Sequence, residues 1–557
     1  MAEAGTLRCV CVLAVLAVTG LGACAAGTTN GFQRHARFKG IGACLNQLIG
    51  PGPEAGSQRL YASHIYGGST LDIVAVDPLT GKAEVFSSPI PGETGAWAMA
   101  LGADGRVYIG TLPRAHLLRL DWSEHRLVDL GRPSHTEQYI WQLALGADRR
   151  LYGCTYPGAK LVRYDPAAGT GEDLGRMDEK ELYARSVAAD DSGFVYTGIG
   201  MARQHLAAYE IATGNHRDVL PPEYGGPGAC SVSRGDDGRV YARAGNQHFR
   251  LDGWTATPIA AKDFRPPPPL RLADGRSVTY DGRSVNLRDP KTGEVVGRCV
   301  PYEGKGQDIF RLGLGPDGRL YGSTAMPIHF FRADPNGNAW EEIDNLGGGE
   351  FYSFLAHRDA LVGAAYSGRA PLMIYRPAKP YAPAETPDGN PWLIHYPGEN
   401  SGWRPMALVA GPGGKIYVGA VSGYGLLGGP LCVFDPETGR VDQYPHLVRD
   451  QSVISLASLP DGRIAGGTTV EGGGGSHPTQ TEARLFLWDP EKRQMSFETV
   501  PVGGQRRIDA LAVGRDGLVY GFAGPSLFVF DPAGQKVLST APHGLSPRDL
   551  QRRGPGT

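Results

Sequence analysis

Gly102-Ala103-Asp104-Gly105-Arg106-Val107-Tyr108 returns as Gly315-Pro316-Asp317-Gly318-Arg319-Leu320-Tyr321 and again as Gly514-Arg515-Asp516-Gly517-Leu518-Val519-Tyr520. Looser copies stand at Gly146–Tyr152, Asp236–Tyr241, Gly411–Tyr417 and Leu459–Ile464. The copies fall mostly in the mid-forties of residues apart, within the roughly 40–50 residues of a propeller blade. Inside one unit, Trp97–Leu101 reads as a first strand and Asp104-Gly105 as a hairpin turn that needs positive φ. Strands over Arg106–Thr111, His116–Leu120 and Arg126–Leu130 follow. A second signature closes the third strand: Asp77-Pro78, Asp165-Pro166, Asp289-Pro290, Asp334-Pro335, Asp435-Pro436, Asp489-Pro490 and Asp531-Pro532. There Asp caps the turn and Pro presets φ. The expectation is an all-β chain, a β-propeller of four-stranded antiparallel blades with about 8–10 blades in one ring. The alternative is two smaller propellers dividing near Arg265-Pro266-Pro267-Pro268-Pro269.

The chain has 557 residues, 81 Gly and 43 Pro, and 41% of it is hydrophobic. That describes a turn-rich folded protein rather than a disordered one. Lys plus Arg number 55 against 57 Asp plus Glu, so no global field attracts nucleic acid. Arg8 precedes an apolar run, Cys9–Leu21, which ends in Gly22-Ala23-Cys24-Ala25-Ala26. This reads as an export signal over residues 1–24, too short for an ordinary membrane span. Leu21-Gly22-Ala23-Cys24 resembles a lipobox with Cys24 as the lipidation site, and ordinary signal cleavage after small residues is the alternative. Either way the product is expected to be exported, at the cell surface or periplasmic, or else secreted. Residues 25–57 are expected as a linker, 58–545 as the propeller and 546–557 as a tail. Cys44, Cys154, Cys230, Cys299 and Cys432 show neither close pairing nor metal spacing, which favours isolated thiols over one long-range disulfide.

Function in this architecture collects on the loops that lead into the first strand and join the second to the third. Alignment on the Asp-Gly turn puts Trp97, Trp141 and Arg185 in one slot, and Tyr139 and Tyr183 in another. Arg311, Trp403 and Arg404 come from later copies, and the second-to-third-strand loops add His116, Tyr156, Arg203 and His205. Rings stack on sugar faces, Arg grips a carboxylate through its planar fork, and His or Tyr moves protons. The set therefore points to an acidic, uronate-containing poly- or oligosaccharide as partner. Tyr183, Arg185, His116, His205 and Tyr139 are the candidate catalytic groups for β-elimination. Trp97, Trp141, Tyr156, Arg203, Arg311, Trp403 and Arg404 are the candidate binding groups. The alternative is a non-catalytic propeller holding a glycan or a protein. Plain packing by Trp97 and Trp141, and solvated loop histidines, remain open readings of the same residues.

No Gly-x-Ser-x-Gly elbow, Walker loop, dinucleotide fingerprint or His-Glu-x-x-His motif is present. No cofactor is expected, and a divalent metal is not indicated. Glu471-Gly472-Gly473-Gly474-Gly475-Ser476-His477 reads as a flexible insertion, or as a rim over a site. The Gly-x-Asp-Gly-Arg-[Val/Leu]-Tyr phrase, over Leu60 to Pro542, resembles the blades of secreted bacterial propellers of the streptogramin-lyase-like and quinoprotein-like groups. Propeller polysaccharide lyases are similar in architecture and in using His, Tyr and Arg. The resemblance rests on turn residues, so it implies a fold rather than an activity. The quinoprotein Trp-docking motif is missing, and the His and Glu that streptogramin lyases set around Mg²⁺ have no placeable counterpart.

Overall fold

The computed structural model describes residues 40–335, 339–366, 372–396 and 404–544. The signal run with Cys24 lies outside the described residues, as do Trp403 and the tail. The described residues form a multi-blade β-propeller of ten antiparallel sheets, mostly four-stranded and with the strands in chain order. One eight-stranded sheet is two blades joined where Phe194–Met201 runs on to pair with Gly228–Arg234. Contacts divide the described residues into two units, one spanning 40–308 with Gly474–Ser476 and the other 309–473 with 477–544. The five cysteines among the described residues are free thiols: Cys154, Cys230 and Cys432 buried, Cys44 half-buried and Cys299 exposed.

The recurring phrase has a physical cause. One carboxylate oxygen of Asp104 accepts the Arg106 N–H at 3.1 Å and the other accepts the Tyr108 hydroxyl at 2.9 Å. Gly105 sits at φ +74°, and a Cβ on Gly102 would stand 2.5 Å from the Tyr108 ring. Gly, Asp, Gly and Tyr are thus one locked turn. The same Asp–Tyr bond recurs at Asp148–Tyr152, Asp237–Tyr241, Asp317–Tyr321 and Asp516–Tyr520. The held rings bury against the following sheet, as Tyr108 does beside Ile140, Tyr152 beside Val187 and Tyr321 beside Phe351. Tyr520 differs from these, because 36% of its surface is exposed.

Within the first unit, the first five blades share apolar layers in turn, and the last sheet packs on the first: Val278 and Val285 lie with Leu60 and Val74. That last sheet has three strands, Ser277–Tyr280, Ser284–Arg288 and Val295–Cys299. Its Asp274-Gly275 turn precedes Ser277–Tyr280 as Asp104-Gly105 precedes Val107–Leu112, so the missing strand is the innermost. Pro266–Pro269 occupy its place in the sequence, and prolines have no N–H for a ladder. What remains is a single bridge, Arg271 to Ser277, with the Val278 N–H bonded to the Leu270 carbonyl at 2.9 Å. Gln47 of the first sheet caps the Tyr280 carbonyl at 3.0 Å.

The strand Cys44–Pro51 opens the first sheet, ahead of the expected start at 58. Like it, the inner strands beginning at Gly95, Tyr139 and Ala184, and all five in the second unit, carry a one-residue bulge near their start. A bulge re-aims the unpaired side chain. The bulged residues include Trp141, Arg185, Phe310, Tyr352, Met406 and Asp509, and Trp97 lies in the bulge of its own strand. The next residue along often ties its sheet to the following one. Ser186 Oγ accepts the Val232 N–H at 2.9 Å, Ser353 donates to the Pro405 carbonyl at 3.1 Å and Ser455 to the Ile508 carbonyl at 2.9 Å.

Candidate functional site

In the first unit the bulges and the loops beside them assemble one contiguous group of rings. Trp97 and Trp141 lie 5.6 Å apart by centroid, Tyr139 is 5.3 Å from Trp141, and Tyr156 is 5.2 Å from Tyr139 and 4.4 Å from Tyr183. The Arg185 guanidinium rests 4.8 Å from the Trp141 ring and 5.2 Å from Tyr183, which places a cation on aromatic faces. All six side chains are half-buried. Six of the expected site residues are thus brought together: Tyr139, Tyr183, Arg185, Trp97, Trp141 and Tyr156. Gly475 belongs to this unit and has φ +87°. A Cβ there would stand 2.6 Å from that of Met201 and 3.6 Å from the Tyr183 ring.

The histidines have other work. His116 Nδ1 lies 3.1 Å from Asp129. His205 is buried between two carboxylates, Nδ1 at 2.5 Å from Asp178 and Nε2 at 3.2 Å from Asp218. Arg203 joins that group, 2.6 Å from Asp178 and 3.6 Å from Asp218. Burial pushes the Asp178 carboxyl upward, but the His205 hydrogen bond and the N–H groups of Glu181 and Lys180 outweigh it. The net position is well below the usual carboxylate range. His116 stands just before a third strand and His205 opens one, each paired with an acid thirteen residues on, in the fourth, and Lys160–Asp173 at 2.7 Å and His329–Glu342 at 2.6 Å repeat the arrangement. A pattern shared by blades with and without the ring cluster is a cross-strand tie.

A set of buried carboxylates went unread in the sequence. Glu137 accepts the Thr155 hydroxyl and the Gly158 N–H, each at 2.7 Å. That fixes the loop on which Tyr156 meets Tyr139 and Tyr183. Glu93 does the same for its loop, taking the Thr111 hydroxyl and Arg114 Nε at 2.8 Å, and Glu181 accepts the Arg203 N–H at 2.8 Å. The signal was available, since Glu93, Glu137 and Glu181 are evenly spaced and Thr111 and Thr155 keep the same interval.

Arg311 and Arg404 belong to the second unit. Arg311 Nε donates to the Tyr352 carbonyl, and burial pushes its guanidinium down to about 10. Arg404 lies 4.3 Å from the Tyr366 ring and 5.1 Å from Tyr424. Among the described residues no group of three or more His, Cys, Asp or Glu is placed to hold a metal ion.

No family model matches the chain, and no curated protein matches it in sequence. Solved structures do align with it. The extracellular domain of BT4673 from B. thetaiotaomicron is 13% identical over 92% of this chain and 74% of that one, with a TM-score of 0.30. PorZ, a surface component of the type-IX secretion system of Porphyromonas gingivalis, is 13% identical over 90% and 73%, at 0.31. Virginiamycin B lyase from Staphylococcus aureus is 10% identical over 59% and 94%, at 0.29.

Proposed function

We propose that the protein is an exported propeller that binds an acidic glycan through the ring cluster of its first unit. The observation that carries this reading is the unbroken chain of rings Trp97, Trp141, Tyr139, Tyr156 and Tyr183 with Arg185 laid against it. Indole and phenol faces accept the apolar face of a pyranose, and a guanidinium supplies the planar fork a uronate carboxylate needs. Export rests on the Cys9–Leu21 run, with lipidation at Cys24 as its finer form. Binding is favoured over cleavage because His116 and His205, the natural proton carriers, are committed to Asp129, Asp178 and Asp218.

The test is calorimetric titration with oligogalacturonate and oligoglucuronate. Trp141→Ala removes the ring that touches Trp97, Tyr139, Tyr183 and Arg185, and is expected to weaken binding about tenfold or more, some 1.4 kcal/mol. Unchanged affinity would sink the assignment. A second reading, elimination at a uronate, draws on Tyr183, whose phenol ring lies beside Arg185: the cation would acidify the C–H next to the carboxylate and the phenolate would take the proton. The C4–O glycosidic bond breaks as the C4=C5 double bond forms, and the phenol returns its proton to the departing oxygen; the reading requires ultraviolet absorbance from that unsaturated product, lost in Tyr183→Phe.

A further inference from the structure

The second unit holds a cluster of different chemistry. Glu350 begins one inner strand, Glu350–His357, and Tyr352 is that strand's bulged residue. Arg404 begins the next inner strand, Arg404–Ala410. Tyr366 ends the strand paired to Glu350–His357, and Tyr424 follows the strand Ile416–Val421. The Tyr352 hydroxyl donates to Glu350 Oε1 at 2.8 Å, and an Arg404 amino group donates to the Tyr424 hydroxyl at 3.2 Å. The Tyr366 and Tyr424 hydroxyls are 2.9 Å apart. The cation is thus pinned on two aromatic faces with a carboxyl and three phenols around it, all half-buried.

We propose that this cluster is a proton-linked binding site for a carboxylate, in which Arg404 and Tyr424 receive the ligand's anionic group and protonated Glu350 donates a hydrogen bond to it. The aromatic faces are already covered by Arg404, which leaves no place for a ligand cation. An incoming anion meets the Arg404 fork and finds one acid beside it. An ionised Glu350 would repel that anion, whereas a protonated one keeps Tyr352 on Oε1 and offers its proton from Oε2. Where Glu350 is ionised in the free protein the proton comes from solvent, so up to one H⁺ is taken up per carboxylate bound. Burial supports this by raising the Glu350 carboxyl above its usual range, with the Tyr352 hydrogen bond and Arg404 pulling partly the other way. Among the described residues the other charged group near the pair is Arg311, which reaches the Tyr352 carbonyl and, at about 10, stays charged throughout the range concerned.

The linkage fixes the sign. Affinity is greatest where Glu350 is protonated in the free protein, and is lost as pH rises through its higher value in the complex. The reading does not rest on the glycan cluster of the first unit, and the test separates the two. In full-length protein carrying Trp141→Ala, calorimetry with monomeric sodium glucuronate is expected to give binding at least tenfold tighter at pH 5 than at pH 8. The heat should vary with the buffer's ionisation enthalpy, as proton uptake requires. Adding Glu350→Gln, which mimics the neutral acid, should hold the affinity near its pH 5 level at both pH values and abolish the buffer dependence. Tyr424→Phe, which keeps the ring on Arg404, should weaken binding several-fold. No binding at pH 5, the same affinity at both pH values in the parent, or an unchanged pH slope in Glu350→Gln would each overturn the proposal.

Discussion

The two units are written in the same phrase and finish their sheets differently. In the first, the last sheet packs back on the first and buries Leu60, Val74, Val278 and Val285 between them, leaving Val85 and Val295 of the outer strands exposed. In the second, the first sheet leaves Ile309, Phe310 and Leu314 exposed, and the last leaves Tyr520 and Leu538 exposed. The Asp-Gly-x-x-Tyr lock is intact at Tyr520, where the hydroxyl still reaches Asp516 at 2.8 Å. The lock therefore builds a blade, while stability comes from what the tyrosine ring meets afterwards. Side chains at and beside the bulges diverge too, with aromatic rings around Arg185 in one unit and an acid, phenols and Arg404 in the other.

The largest effect expected from this contrast is in stability. Tyr152→Ala empties a site with no solvent exposure and should cost about 3–5 kcal/mol, whereas Tyr520→Ala should cost under about 1 kcal/mol. Thermal and denaturant unfolding of the two variants measures this directly, and equal shifts would break the contrast. Next comes the paired acid of the first unit. Asp178 is held below its unfolded value, so it stabilises the fold above about pH 4 and that contribution is lost as pH falls through its lower folded value. Asp178→Asn should cost about 3 kcal/mol at pH 7 by leaving buried His205 and its partners unmatched, and should flatten the acid limb of the stability curve. Glu342→Gln, against His329 in the second unit, removes a more exposed carboxylate and should change both far less. A similar acid limb in parent and Asp178→Asn would remove the distinction. The smallest effect tests where the units agree. Ser186→Ala and Ser455→Ala each delete one tie between sheets, and each should lower stability by about 1 kcal/mol. A severalfold difference between them would show that the ties are not equivalent.

The blade was legible because its turn is chemically demanding: Gly, Asp and Tyr recur at fixed offsets in the lock, with Gly usual in the positive-φ slot and Arg149 taking it once, at φ +66°. The strand Cys44–Pro51 was not, since the loop after it, Gly52–Ser57, lacks that phrase. The ring cluster was half legible. Alignment on the turn put Trp97, Trp141 and Arg185 in one slot, and that slot is the bulge, though the bulge itself is a matter of backbone register that composition does not mark. The roles of His116 and His205 were hidden because a cross-strand partner thirteen residues away shows only once strand pairing is known. Glu137 was overlooked for a related reason: a carboxylate that binds backbone N–H groups has no side-chain motif beyond its period.

The tetraproline run in place of an inner strand has a consequence beyond the blade it shortens. Pro266–Pro269 are solvent-exposed, and next to them stands a strand, Ser277–Tyr280, whose inner edge is covered only at Leu270, Arg271 and Gln47. An ordinary exposed segment at this point would carry donors and acceptors able to recruit a strand from another molecule. Four residues without an N–H cannot extend such a ladder. Proline here guards against aggregation at the one blade whose sheet is incomplete among the described residues.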